Sequence, residues 1–173
     1  LAVYLAESPW AFTIAAARLG LLVGSFLNVV IHRFPLMMER AWQTQCQELL
    51  NSSATHPPAG KKEESFNLVT PRSRCPHCGH AISALENVPV ISYLWLRGRC
   101  AGCGKPISPR YPLVELTTAL LSGITAWHFG FGWAAGAALA LTWALITLTV
   151  IDFDHQLLPD DITLPFLWLG LVL

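Results

Sequence analysis

Long apolar runs alternate with polar stretches along the chain, and this pattern predicts several membrane-spanning helices. Apolar runs occupy residues 11–31, 112–128 and 130–151, and a shorter one occupies residues 162–173. A helix that crosses a bilayer needs about 20 apolar residues, a length that the first three runs approach or reach. We therefore expect an α-helical polytopic membrane protein with at least four transmembrane helices. The last helix, at 162–173, is expected to be truncated, because the chain is interpreted as a fragment that lacks its C-terminal part.

The first apolar run has a second interpretation as a secretory signal peptide. It exceeds the usual length of a signal core, and no small-residue cleavage site follows it, so a retained helix is favoured. The polar stretch that comes next, residues 32–111, is predicted to be an insert outside the membrane. Residues 51–62 are rich in Ser, Thr, Pro, Gly and Lys, which indicates a flexible linker. No internal repeat is predicted.

Composition and charge agree with a membrane protein. Hydrophobic residues make up 53% of the chain and charged residues 13%, and 11 basic residues balance 11 acidic ones. This balance argues against a nucleic-acid partner, and a mean hydropathy of +0.46 argues against an ordinary soluble domain. All the basic residues except Arg18 lie between Arg33 and Arg110. The positive-inside rule therefore predicts a cytoplasmic insert at 32–111, a periplasmic segment at 1–10, and a cytoplasmic acidic loop at 152–161.

Four cysteines in the insert form two C-x-x-C pairs, which are Cys75 with Cys78 and Cys100 with Cys103. This spacing is typical of a zinc ribbon, in which two turns complete a tetrahedral shell of sulfur ligands. Two disulfides are the alternative, but the predicted location is a reducing compartment. A closed four-cysteine site has no position for water, so we expect one structural zinc ion per chain, in a ribbon at residues 75–103. His77 and His80 are alternative ligands, and no role is predicted for Cys46.

Asp152 is the candidate for proton transfer. It follows an uncharged apolar run, where desolvation and the C-terminal end of the helix dipole both disfavour the ionised carboxylate. It is therefore expected to be less solvated than Asp154, Asp160 and Asp161, and suited to general acid or base chemistry. On position alone, an equally good interpretation is that these aspartates mark where the helix leaves the bilayer.

Polar residues inside or beside the apolar runs form a weaker group of candidates. Gly24 and Ser25 permit close approach of helices, and Asn28 can form a hydrogen bond across a helix interface. His32 and Arg33 follow at the predicted cytoplasmic end, where contact with a substrate is an alternative to packing. Arg18 is expected to pair, to reach the membrane surface or to face another helix. Glu115 is its possible partner, or a third acid near the site.

Several motifs, taken together and in order, resemble the bacterial type IV prepilin leader peptidase/N-methyltransferase family. They are residues 24–33, the two cysteine pairs, residues 86–93, residues 110–115 and residues 151–160. The resemblance implies a multi-pass inner-membrane aspartic endopeptidase that cleaves type IV prepilins and type II secretion pseudopilins. It also implies N-methylation of the new N-terminus with S-adenosylmethionine, and a membrane-embedded peptidase domain of which residues 112–173 form the first part. Structural zinc is implied on Cys75, Cys78, Cys100 and Cys103.

The same resemblance assigns the first catalytic aspartate of the family to Asp152. The second belongs to a later G-x-G-D motif that this sequence does not contain, so the fragment alone is expected to be inactive. No glycine-rich loop suggests where S-adenosylmethionine would bind. The alternative function is a membrane-anchored zinc ribbon that recruits partners without catalysis, for which Asp152 would be dispensable.

Overall fold

The computed structural model describes residues 2–51, 67–68, 70, 73–75, 77–83, 86 and 88–172, and helices dominate them. Most of the predicted linker, residues 52–62, lies outside the described residues. Isolated β-bridges occur between Arg74 and Ala81 and between Arg99 and Pro106. The helices, in chain order, are α1 (Ala2–Glu7), α2 (Pro9–Asn51), α3 (Ile91–Trp95), α4 (Arg110–Phe129), α5 (Trp133–His155) and α6 (Asp160–Val172).

Helix α2 is much longer than the apolar run that predicted it. It has 43 residues and continues through Pro35 to Asn51, so the first part of the predicted insert is helical rather than turn-rich. Residues 36–51 contain Leu, Met, Glu, Arg, Ala and Gln and no glycine, which explains the continuation. The change from apolar to polar residues at position 32 therefore does not end the helix.

Two glycines bring α2 into close contact with α4, and the two helices run antiparallel. A Cβ atom on Gly20 would lie 2.9 Å from Cα of Ala119, and one on Gly24 would lie 2.8 Å from Cα of Glu115. Backbone atoms cannot turn aside as a flexible side chain can, so these positions exclude larger residues. The spacing of four is that of a small-xxx-small helix interface. Close approach of helices was predicted at Gly24 but not at Gly20.

Gly24→Ala is expected to destabilise the helix pair by about 1–3 kcal/mol, because the added methyl group overpacks the interface. Gly136→Ala is the matched control, since Gly136 lies in α5 and its Cβ would meet no atom within 4 Å. Unfolding in detergent, followed by loss of helical circular dichroism, measures both. Equal stability of the two variants would contradict the close crossing.

Helix α5 packs on both α2 and α4 and completes a three-helix arrangement. The indole Nε1 of Trp143 donates a hydrogen bond to Oγ of Ser122 at 2.9 Å, and Ser122 donates to the carbonyl of Thr118 at 2.6 Å. One hydrophobic cluster joins the three helices near the predicted cytoplasmic end. Its buried members are Leu27, Ile31, Val114, Ile146 and Ile151.

Helix α4 buries polar side chains and exposes apolar ones. Glu115, Thr118 and Ser122 are buried between the helices. The exposed side chains recur every three or four residues and form one face, made of Leu113, Leu116, Leu120, Ile124 and Trp127. A helix at the surface of a soluble protein has the opposite pattern, with its apolar face turned inward. The outer face of α4 therefore has the chemistry of a surface that contacts lipid.

Two of the described helices are long and apolar enough to cross a membrane. They are α2, within residues 9–50, and α5. The other two predicted spans correspond to α4, which carries the buried Glu115, and to α6, which has 13 residues. The expectation of a helical protein is confirmed, with α2 and α5 as two candidate membrane spans, and four spans remain a prediction.

Candidate functional site

The four cysteines of the two C-x-x-C pairs form one cluster. Their Sγ atoms all lie within 4.8 Å of one another. The Sγ atoms of Cys75 and Cys103 are 3.9 Å apart, as are those of Cys78 and Cys100. None of these four cysteines forms a disulfide. The predicted set of four sulfur atoms is therefore brought together across the two pairs.

Two equivalent turns present these sulfur atoms. In the first, the amide of Gly79 donates to the carbonyl of Cys75 at 2.9 Å, and in the second the amide of Gly104 donates to that of Cys100 at 2.9 Å. Both glycines have positive φ, 72° and 69°, which glycine adopts without strain. The absence of an internal repeat was wrongly predicted, since residues 74–82 and 99–107 both read R-C-x-x-C-G-x-x-I.

The two turns also make equivalent contacts with each other. The ring of His80 packs over Gly102, where a Cβ would lie 3.1 Å from Cβ of His80. In the matching position, Nζ of Lys105 lies 3.4 Å from Nδ1 of His77. His80 also pairs with Glu86, whose carboxylate is 3.2 Å from Nε2. Both histidines are thus engaged outside the sulfur cluster, which favours the all-cysteine set over a histidine ligand.

The backbone around the cluster favours ionised sulfur at one position. Hydrogen bonds from the amides of His77 and Cys78 lower the pKa of Cys75 to about 6. The His80 amide acts in the same direction on Cys78, but burial and the neighbouring thiols outweigh it and raise the pKa of Cys78 to about 11. The negative charge of one thiolate thus opposes ionisation of the neighbouring thiols. A bound cation removes this electrostatic cost.

The geometry of the cluster fits zinc. Four sulfurs placed 2.3 Å from a zinc ion at the corners of a tetrahedron lie about 3.8 Å from one another. The Cys75–Cys103 and Cys78–Cys100 Sγ distances, both 3.9 Å, agree with that edge. Arg74, Arg99 and Lys105 lie within two residues of the cysteine pairs and would offset the negative charge of four thiolates around one divalent ion.

Among the described residues, Arg33 and Glu115 form polar contacts that attach the insert to the helices. The guanidinium of Arg33, buried at the middle of α2, donates to the carbonyls of Asn67 at 3.0 Å and Leu68 at 3.3 Å. The carboxylate of Glu115 in α4 accepts a hydrogen bond at 2.8 Å from the amide of Val90. Val90 has a positive φ of 57°, which is rare for a β-branched residue. The bond to Glu115 therefore stabilises a strained point where the insert meets the helices.

These contacts exclude one of the roles predicted for Arg18 and Glu115. Glu115 lies beside Ser25 and binds the Val90 amide, whereas Arg18 is exposed about two helical turns away. The pairing of Arg18 with Glu115 was therefore wrong, because the insert returns to the helices and supplies the partner. The cross-helix bond predicted for Asn28 is confirmed, since its Nδ2 donates to the carbonyl of Tyr111 at 3.1 Å.

Asp152 lies in the last turn of α5. The helix ends at His155, and the amide of Gln156 donates to the carbonyl of Asp152 at 2.8 Å. The Asp152 side chain is exposed, as are Asp160 and Asp161 in the first turn of α6. Burial by the described residues therefore does not separate Asp152 from its neighbours, and its lower solvation stays a prediction about the membrane environment.

An ion pair joins the start of α4 to the end of α5. The guanidinium of Arg110 contacts the carboxylate of Asp154, two residues after Asp152. The segment that carries the second cysteine pair leads into α4, so this ion pair places the acidic segment and that part of the insert at the same end of the helices. Sequence reasoning missed this contact, because residues 110 and 154 are separated by a whole helical hairpin.

Two sequence families match the chain in order. The family described as "Bacterial Peptidase A24 N-terminal domain" matches residues 19–129, and the "Type IV leader peptidase family" matches residues 139–173. The first includes α4 and all four clustered cysteines, and the second includes Asp152. No solved structure is significantly similar to the chain.

Curated relatives agree with these matches. The chain is 60% identical over 170 residues to a protein of Stutzerimonas stutzeri and 56% identical over 169 residues to one of Pseudomonas aeruginosa, both named "Prepilin leader peptidase/N-methyltransferase". These alignments cover 98% of the chain and 57% of each relative, so the chain spans little more than half of their length. Because one family covers more than half of its residues, the chain belongs to the bacterial A24 family of type IV leader peptidases.

Proposed function

We propose that this chain is part of a membrane aspartic endopeptidase that removes the leader peptide from type IV prepilins and type II secretion pseudopilins, and then methylates the new N-terminal residue. The observation that carries the proposal is the ordered match of both family domains, with Asp152 inside the leader peptidase domain. The names of the relatives, which join peptidase and N-methyltransferase, support both activities.

Asp152 is proposed as one of the two catalytic carboxyl groups. In an aspartic peptidase two carboxyl groups share a proton, and one activates water while the other protonates the scissile carbonyl or the leaving amine. The other carboxyl is proposed to come from a G-x-G-D motif, which the printed sequence does not contain. The exposed position of Asp152 at the end of α5 leaves its carboxyl open to such a partner.

Cys75, Cys78, Cys100 and Cys103 are proposed to hold one zinc ion. All four coordination positions would be filled by sulfur, so the ion would cross-link the two turns of a zinc ribbon and take no part in cleavage. S-adenosylmethionine is proposed as the methyl donor. We assign no residue of the chain to its binding.

The protein is proposed to cross the bacterial inner membrane several times, with the ribbon and the Asp152 segment on the cytoplasmic side. The apolar outer face of α4 supports its inclusion as a membrane span beside α2 and α5. The Arg110–Asp154 pair supports a common side for the ribbon and the acidic segment.

Reporter fusions test this arrangement. Fusions after Gly60, in the insert, and after Gly130, between α4 and α5, are expected to report opposite sides of the membrane. A cytoplasmic reporter such as β-galactosidase is expected to be active at position 60, and alkaline phosphatase at position 130. Activity of the same reporter at both positions would contradict a single passage by α4.

The proposed activity is tested with the full-length protein in detergent, a prepilin substrate and S-adenosylmethionine. We expect mass spectrometry to show loss of the leader first and addition of one methyl group to the shortened product afterwards. Binding of the prepilin without cleavage would instead support the non-catalytic recruiting module, for which the zinc ribbon alone suffices.

A further inference from the structure

Helix α3 carries an apolar face on which none of the described residues pack closely. Ile91, Leu94 and Trp95 are 62%, 69% and 84% exposed, and their i, i+3, i+4 spacing places them on one side of the helix. Tyr93 faces the other way, since a Cβ on Gly98 would lie 2.9 Å from its hydroxyl oxygen. The ribbon thus holds α3 by one side and leaves three large apolar side chains outward on the other.

The start of α3 lies level with the apolar outer surface of the helices. Val90, which precedes the helix, donates its amide to Glu115, and Glu115 lies beside Ser25. The sequence neighbours of these two buried residues, Leu116 in α4 and Phe26 in α2, are more than half exposed. On the membrane placement proposed above for α2 and α4, the outward face of α3 therefore lies at the same depth as side chains that would face lipid.

The charge around α3 complements an anionic surface. Arg97 and Arg99 follow the helix and are both exposed, and residues 88–114 contain no acidic residue. Tryptophan is enriched where hydrocarbon meets headgroups, and basic residues near a membrane bind anionic phospholipids. The apolar face of α3 lies beside two arginines, at the level where the helices would enter the bilayer. This combination of apolar and basic side chains is suited to the headgroup region of a membrane.

We propose that α3 is an interfacial anchor, whose Ile91, Leu94 and Trp95 enter the headgroup and upper acyl region of the adjacent leaflet while Arg97 and Arg99 contact lipid phosphates. The anchor holds the ribbon against the membrane surface. Together with the Val90–Glu115 hydrogen bond, it fixes the ribbon relative to α4 and hence to the Arg110–Asp154 end of the helices.

Tryptophan fluorescence of the full-length protein in lipid vesicles tests the anchor. Trp95→Phe and Trp42→Phe are compared, because Trp42 is also exposed, at 48%, but lies on the extension of α2 past the apolar run. Subtracting each variant from the wild type isolates the emission of one tryptophan. Vesicles of phosphatidylcholine and phosphatidylglycerol contain lipids brominated near the headgroup, and iodide serves as the aqueous quencher.

We expect brominated lipid to quench most of the Trp95 emission and iodide to quench little of it, with the reverse for Trp42. Both variants should retain the zinc content of the wild type. Iodide quenching of Trp95 without bromine quenching would overturn the anchor. The anchor would also be overturned if Trp95 became protected from iodide only after a prepilin peptide was added, because the apolar face of α3 would then bind the substrate. Equal bromine quenching in phosphatidylcholine alone would refute the role of Arg97 and Arg99.

Discussion

Replacing Asp152 by Asn in the full-length protein is expected to abolish prepilin cleavage and to leave membrane insertion unchanged. Asn keeps the size and polarity of the side chain but does not exchange a proton, so the proposed pair loses its acid and base function. Loss of a positioned proton-transfer group lowers rates by about 10²–10⁴-fold, and more where it also orients the attacking water. The rate of leader release, measured by mass spectrometry, is the direct readout.

The structure gives a reason why Asp152 differs from its neighbours. Asp154 is paired with Arg110, and the charges of Asp160 and Asp161 are stabilised at the N-terminal end of α6. Among the described residues, none donates a hydrogen bond to the Asp152 carboxylate. In the described part of the chain, Asp152 therefore has neither an ion pair, as Asp154 has, nor the N-terminal end of a helix, as Asp160 and Asp161 have, and it is available to a second catalytic carboxyl.

Asp154→Asn is the matched control and is expected to retain most of the activity. The Arg110–Asp154 pair is partly exposed, so it contributes at most about 1 kcal/mol, and an Asn oxygen still accepts a hydrogen bond from the guanidinium. Asp161→Asn is expected to behave in the same way. A fully active Asp152→Asn protein would overturn the assignment, and equal losses in both variants would show that the end of α5, rather than one proton, limits the rate. Methylation is followed separately, on a peptide that already lacks its leader.

The apolar runs predicted the helices well because burial in lipid imposes a strong pattern on sequence. They could not predict where α2 ends, since its polar extension depends on helix propensity rather than on hydropathy. The hydropathy of α4 is lowered by Glu115, Thr118 and Ser122, but these residues face the neighbouring helices. Which side of a helix faces lipid is a tertiary property that the average over a run does not contain.

In the candidate site, too, some features could be predicted from the sequence and others could not. Local spacing predicted the four-cysteine cluster, because each C-x-x-C turn fixes two sulfurs through its own backbone hydrogen bonds. The contacts of Glu115 with Val90 and of Arg110 with Asp154 join residues 25 and 44 positions apart. They follow from the path of the insert and of α5, which no local pattern specifies. The repeat R-C-x-x-C-G-x-x-I was visible in the sequence and would have predicted the paired turns.

Removal of the proposed zinc ion is expected to unfold the two cysteine turns while the helices remain. The insert has little apolar core of its own, and of its described residues only Cys75 is a buried hydrophobic side chain. A small domain of this kind depends on its metal, since the free energy of zinc binding is also its free energy of folding. The purified protein is expected to contain one zinc per chain, and Cys75→Ser combined with Cys100→Ser is expected to contain none.

Cys46→Ser is the matched control for this loss, because Cys46 lies exposed on the α2 extension, outside the cluster. It should keep one zinc, measured by elemental analysis of the reduced protein. Protease digestion is expected to cleave the metal-free insert and to spare α4 and α5, which pack on α2 through contacts that do not involve the cysteines. Acid should release the ion as well, because protons compete with zinc for the four thiolates. An unchanged zinc content in the double variant would contradict the assignment of the metal to the four cysteines. An intact metal-free insert would show instead that the two turns are held together by their own contacts.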